Sequence, residues 1–333
     1  MFVYQLQGLV LASSRELGGL TLRKPDARPD VVFHAGLLPP GLDAGKLQAE
    51  TPAYVSPYSD PSGKPFSRMW RCPHSGIYFF HFVEGFSFAI DSGGATIWAQ
   101  WPERVSMEDI TAFLLGQILA FVSHLRGHVC LHASAVSIRD RAVLFAGFPG
   151  MGKSTTAAAF AVRGHSVLSD DVSTLRREPD GGINVLPGVP RVCLLPDSAE
   201  YIYGRASSER FPLLQPAEEK RLVRLDTLAG KFRTEPAPLE AIYLLEPRSD
   251  DATAPRIEDI AGAERLIRLM YNGFMNLAID KKQSAREFQI MGEIARSVRI
   301  RRLVPSSDPK KLERLCELVA SDTIASNVSS VSS

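Results

Sequence analysis

The stretch LHASAVSIRDRAVLFAGFPGMGKSTTAAAFAVRGHSVLSDDV, Leu131 to Val172, decides how the chain is read. At its centre Gly147-Phe148-Pro149-Gly150-Met151-Gly152-Lys153-Ser154 matches G-x-x-x-x-G-K-[ST], the phosphate-binding loop. Glycines let such a backbone curl so that successive N–H groups point at phosphate oxygens, and the helix that follows adds its positive end. Lys153 brings a mobile positive charge to the β- and γ-phosphates, and the Ser154 hydroxyl can ligate Mg²⁺. The context suits the motif: an apolar strand, RAVLFAG, enters the loop and a helix-forming run, TTAAAFA, leaves it. The expected nucleotide contacts are Gly147, Pro149, Gly150, Met151, Gly152, Lys153, Ser154 and Thr155.

Two features flank the loop. Asp170-Asp171 closes the strand that follows the loop's helix, where an acid commonly reaches the metal of a bound nucleotide. Two adjacent acids allow one to hold Mg²⁺ while the other takes a proton from an acceptor. His132 lies on the strand VCLHASAVSI ahead of the loop, where an imidazole can orient a carboxylate base. His124, His128 and His132 fall at four-residue spacing, but Gly127 interrupts any helix that would align them on a metal.

The wider chain bounds the possibilities. Its 333 residues suffice for two domains, and 45% hydrophobic content allows a sizeable core. A net charge of +1 gives no electrostatic case for nucleic acid or an acidic membrane surface as a partner. Four scattered cysteines (Cys72, Cys130, Cys193 and Cys316) offer no CxxC pair and fit a reducing, cytoplasmic setting. The N-terminus lacks a basic region ahead of its apolar residues and reads as a first strand, and the apolar run Ile110 to Val122 reads as a core helix.

Residues 1 to about 105 are β-rich, with Pro52 to Pro65 as a loop. A helix opens at Ser106, whose side chain can cap it, and runs to about Arg126. The organisation expected is a β-rich N-terminal domain over 1–127, a P-loop domain over 128–320 and a disordered tail over 321–333. Within the P-loop domain, VSTLRRE and INVLP form a hairpin, Leu239 to Leu245 a strand, and Ala263 to about Val298 a helix. Val298 to Arg302 flanks a late strand, and Asp308 to Ala320 is a short capped helix.

On LHASAV, GFPGMGKST and above all RGHSVLSDDV, the chain resembles the HPr serine kinase/phosphorylase family. The resemblance covers about Val129 to Thr174. It implies an α/β fold, a P-loop mixed sheet of the HPr kinase/phosphoenolpyruvate carboxykinase type, here beside a β-rich N-terminal region. It also implies ATP and Mg²⁺ as cofactors and a serine hydroxyl as acceptor. By the same resemblance Ser154 and Asp171 would bind Mg²⁺ and Asp170 would be the base, supported by His132, with the two aspartates open to exchange. Arg191 and Lys220 are the candidate phosphate or substrate contacts.

Two departures qualify the resemblance. The family's second signature, which reads like EIRGLGIIDV, is replaced by INVLPGVPRVCLLPDS, with no acid at the glutamate's place. The N-terminal region has no counterpart in that family. The pattern is more similar to divergent members encoded beside lasso-peptide genes, which phosphorylate the C-terminal serine of a precursor peptide. The partner expected is therefore a peptide or small protein bearing an acceptor serine, in a bacterial cytoplasm, with a homo-oligomer allowed by the family's habit of assembly. An HPr-type kinase, a small-molecule kinase and a non-catalytic nucleotide-binding regulator are the alternatives.

Overall fold

The strand that enters the phosphate loop, RAVLFA, is apolar at every position but its first, as expected of a strand covered on both faces. The computed structural model describes residues 1–23, 28–214, 219–227, 231–274 and 281–329. Among the described residues, 1–127 and 281–285 belong to one compact unit, and 128–274 and 286–329 to another.

In the first unit, β1 (Phe2–Leu6), β2 (Leu9–Ser13), β3 (Val31–Ala35), β4 (Tyr54–Val55), β5 (Ser67–Arg71), β6 (Tyr78–Phe82), β7 (Ser87–Ile90) and β8 (Thr96–Gln100) share one sheet. Their spatial order is 1-2-3-8-7-6-5-4. The β4–β5 pairing draws part of the Pro52 to Pro65 segment into the sheet rather than leaving it wholly as loop. A one-turn helix, α1 (Ala44–Gln48), is capped by Asp43. The apolar run of residues 107–125 comprises α2 (Met107–Phe113), a π-helical turn (Leu114–Ile118) and α3 (Leu119–Leu125). Ser106 and Asp109 cap it reciprocally, each side chain bonding the other's backbone N–H. This run is long and apolar enough to cross a membrane, but Ile110, Leu114, Ile118, Leu119, Phe121 and Val122 are buried within the unit. Phe121 meets Tyr78 and Phe80 edge-on, so the run is the helix that fills this unit's core.

The second unit is built on a mixed sheet with helices on both faces, an α/β fold carrying a P-loop. Its strands are β9 (Val129–Leu131), β10 (Ala133–Ile138), β11 (Arg141–Ala146), β12 (Ser166–Ser169), β13 (Ser173–Arg177), β14 (Ile183–Val185), β15 (Arg191–Leu194), β16 (Arg221–Arg224), β17 (Ala237–Leu245), β18 (Arg256–Asp259) and β19 (Arg299–Val304). The main path runs 12-10-11-17-14-13-9; β19 adds to β17 and β18 to β19, while β15 and β16 pair separately. β11 and β19 run parallel to β17, and the other pairings in this unit are antiparallel.

Alternation along the central strands feeds two cores. On one face Leu144, Ile242, Leu244 and Ile300 meet α7 (Glu264–Tyr271) and α8 (Lys281–Ser297) through Leu269, Met291 and Ile294. On the other, Val143, Phe145 and Tyr243 meet α4 (Lys153–Val162), α5 (Pro196–Tyr203) and α9 (Leu312–Ser329) through Phe160, Ala199 and Val319. A short α6 (Arg205–Ser208) follows α5.

Four expectations change. The strand expected across His132 is interrupted there: β9 pairs with β13, while β10 pairs with β11 and β12. The helix expected from Ala263 to Val298 breaks at Asn272, where Gly273 and Phe274 pair back onto β9 instead; residues 275–280 lie outside the described residues. Arg299–Arg302 belongs to strand β19 rather than flanking one. Finally, the stretch expected to be disordered from 321 continues as helix α9 to Ser329, and 330–333 lie outside the described residues.

Phe160 is wholly buried and stacks on Phe145 with ring centroids 5.5 Å apart, tying α4 to β11 on either side of the loop. Phe160→Ala should lower unfolding stability by about 3–5 kcal/mol in urea titration, and a loss below about 1 kcal/mol would contradict this packing.

Candidate active site

The phosphate loop bridges β11 and α4 as its sequence requires. Gly150 (φ +84°) and Gly152 (φ +95°) adopt the left-handed conformation that L side chains resist, and Gly152 caps α4. Lys153 is 6% exposed and turns its Nζ onto the loop, donating to the carbonyls of Gly147 (2.7 Å) and Phe148 (3.2 Å). Burial lowers its pKa, against the pull of Asp171 and Asp170. A polyphosphate would offer this ammonium charged oxygens in exchange for neutral carbonyls.

The two aspartates occupy different environments because the chain turns sharply between them. Strand β12 ends at Ser169, and Asp171 takes φ +68°. The Val172 N–H donates to the Asp170 carbonyl (2.8 Å), closing a γ-turn about Asp171. Such a backbone is strained by roughly 1–3 kcal/mol and persists where the surroundings enforce it. Here buried serines brace it: Ser169 and Ser173 share a 2.7 Å hydrogen bond, and Ser173 Oγ donates to the Ala133 carbonyl (2.9 Å). Gly188 packs against the same point; a Cβ there would lie 2.7 Å from Ser169 Cβ.

Asp170 faces inward. Its Oδ1 accepts from Ser134 Oγ (2.6 Å) and its Oδ2 from the Cys193 N–H (2.9 Å). Burial is the strongest influence on this carboxyl and raises its pKa; these two hydrogen bonds oppose the rise without cancelling it. Burial likewise pushes the adjacent Cys193 thiol up to about 12, so it stays protonated.

Asp171 faces outward, with 62% of its side chain exposed, and His132 Nε2 lies 3.1 Å from its Oδ1. Burial on its inner side would raise its pKa, but the His132 hydrogen bond and charge, with Lys220 and Lys153, outweigh that and hold it below the usual carboxylate range. His132 is fixed in turn: its N–H donates to the Asn272 carbonyl (2.8 Å), and Phe274 meets its ring edge-on at 6.1 Å. The sequence reading attached His132 to Asp170; the structure brings it to Asp171. Arg191 opens β15 and Lys220 directly precedes β16, which pairs with it antiparallel, and both cations act electrostatically on Cys193. Among the described residues Arg191 has no ion-pair partner.

Ser154 and Asp170 offer Mg²⁺ a hydroxyl and a carboxylate, the hard oxygens it takes. Sequence reading missed Ser134, which lies on β10 just after the break at His132. It also missed the Cys193 N–H, Asn272 and Phe274, which arrive from distant elements and carry no local signal.

No protein-family model matches the chain, and no curated protein matches it. Solved structures that match include the Hpr(Ser) kinase/phosphatase from Coxiella burnetii, 16% identical, with 61% of this chain and 95% of that chain covered and a TM-score of 0.34. At that score the likeness carries no conclusion about activity.

The half-buried Asp170 carboxyl gives a pH-dependent prediction. Folding raises the Asp170 pKa above its reference of 3.8, so the ionised form costs stability. That cost is absent below the unfolded-state value and full above the folded one. Without Mg²⁺, Asp170→Asn should therefore melt higher than the native chain at pH 7, with the advantage shrinking as the pH falls toward about 4. A variant less stable at pH 7 would show that the ionised form is favoured.

Proposed function

We propose that the chain is an ATP-dependent serine kinase whose acceptor is a peptide, with the C-terminal serine of a lasso-peptide precursor as the preferred substrate. The observation that carries this reading is the solvent-facing His132–Asp171 pair in a unit that also holds a phosphate loop. Nucleotide binding alone requires no such pair. The sequence supports the peptide acceptor, because the kinase set is complete while the second family signature is missing.

The roles follow from the two environments. The loop N–H groups and Lys153 hold the triphosphate, with Arg191 and Lys220 available to the charge that develops on the transferred group. Ser154 and Asp170 would hold Mg²⁺, which when bound would neutralise phosphate oxygens. Asp170 suits that part because a half-buried carboxylate with raised pKa would be relieved by a cation. Asp171 is the base: the serine Oγ–P bond forms as the bond to the β-phosphate oxygen breaks, ADP leaves, and the hydroxyl proton passes to Asp171. His132 orients that carboxylate. This exchanges the aspartate roles first expected from the resemblance.

Asp171→Asn is the sharpest single change, because asparagine tolerates the left-handed backbone and so removes only the charge. With ATP, Mg²⁺ and a serine-terminated precursor peptide, the native chain should add one phosphate, detected by mass spectrometry. The variant should lose about 10²- to 10⁴-fold in kcat while still binding nucleotide. ATP turnover with no peptide or HPr acceptor modified would sink the proposal.

A further inference from the structure

The proposed reaction uses nothing in the β-rich unit, yet that unit holds a cavity of about 460 Å³, within the size range of small-molecule sites. Its position follows from strand alternation. Tyr78 and Phe80 of β6 meet the core helix at Phe121, so Phe79 between them points to the other face of the sheet. On that face Trp70, Cys72 and Phe79 form a smaller core, which α1 covers by burying Leu47. The cover is pinned at its end: Trp70 Nε1 donates to the Glu50 carbonyl (3.0 Å), tying the α1 segment to β5. The turn after β5 is closed by the Cys72 N–H on the Ile77 carbonyl (2.8 Å). The cavity takes its lining from these two segments, residues 40–50 and 72–77.

The lining divides by chemistry. Leu42, Leu47 and Ile77 give it apolar surface. Lys46 and Glu50, four residues apart along the α1 segment, give it opposite charges on exposed side chains. Lysine ahead of glutamate is the weaker order for pairing at this spacing, and among the described residues neither side chain has an ion-pair partner. Asp43 also lines the cavity, but its Oδ1 accepts from the Lys46 N–H (3.0 Å) as the cap of α1. We infer that the cavity binds a small zwitterion with a large apolar side chain, the chemistry of a free α-amino acid such as phenylalanine or leucine. Its ammonium would meet the Glu50 carboxylate, its carboxylate would meet the Lys46 ammonium, and its side chain would lie on Leu42, Leu47 and Ile77. Each protein charge then gains a partner through a charge-assisted hydrogen bond, and a ligand lacking either charge leaves one of them unanswered. The inference does not rest on the kinase reading, since every residue it uses lies in the β-rich unit.

Calorimetry on the full chain tests this with L-phenylalanine and L-leucine, each compared with its N-acetyl and its amide form. At least one free amino acid should bind, and both blocked forms of it should bind about tenfold more weakly or worse, as expected when one charge-assisted hydrogen bond is lost. Two variants then assign the charges. Glu50→Gln should weaken the free amino acid and its amide, which keep the ammonium, by about tenfold and leave the N-acetyl form unchanged. Lys46→Gln should do the reverse, weakening the free amino acid and its N-acetyl form and leaving the amide unchanged. Both side chains are exposed, and the Glu50 carbonyl that holds Trp70 is a backbone group that the substitution keeps. Ser75→Trp, at an exposed position in the cavity lining, should abolish binding by filling the space and serves if a charge variant melts early. No binding of either amino acid up to about 10 mM would overturn the inference. So would blocked forms that bind as tightly as the free ones, or an affinity indifferent to the variants.

Discussion

Adjacent carboxylates of like charge cannot both be ionised in one pocket without cost, and the rest of the site depends on how the chain separates them. It does so with a single backbone dihedral. The positive φ at Asp171 sends Asp170 inward to Ser134 and the Cys193 N–H, and Asp171 outward to His132. One acid is half-buried with its pKa raised; the other is exposed with its pKa lowered. The strain of that turn is held by the Ser169–Ser173 hydrogen bond and by the close approach of Gly188, all in the densely packed floor of the sheet.

The fold explains why these groups converge. β10, β11 and β12 are neighbours, so Ser134, the phosphate loop and the aspartates sit close together on one part of the sheet. The break at His132 is part of the same design. Releasing the chain from β10 lets β9 pair with β13 and lets the segment after α7 seat the imidazole through Asn272 and Phe274. An unbroken strand would have held His132 in register with β11 and β12 instead.

Much of this was legible in the sequence where the signal is local. The alternating apolar strands, the Ser106 capping box, the glycines of the loop and the order histidine, P-loop, Asp-Asp each depend on a few neighbouring residues. Long-range features were not legible. The pairing of residues 273–274 onto β9 broke a helix that periodicity alone extends through Asn272. Which aspartate faces the histidine turns on one dihedral that Asp-Asp does not encode by composition. The cavity of the β-rich unit draws its lining from residues 40–50 and 72–77, two segments that only the folded sheet brings together.

The central claim is the division of labour between the aspartates, and Mg²⁺ linkage tests it most directly. Nucleotide affinity would be measured by calorimetry with and without Mg²⁺ for the native chain, Asp170→Asn and Asp171→Asn. If Asp170 holds the metal, its variant loses the Mg²⁺-dependent gain in affinity, while the Asp171 variant keeps it. The reverse pattern, with the gain lost at Asp171 and kept at Asp170, would contradict the account.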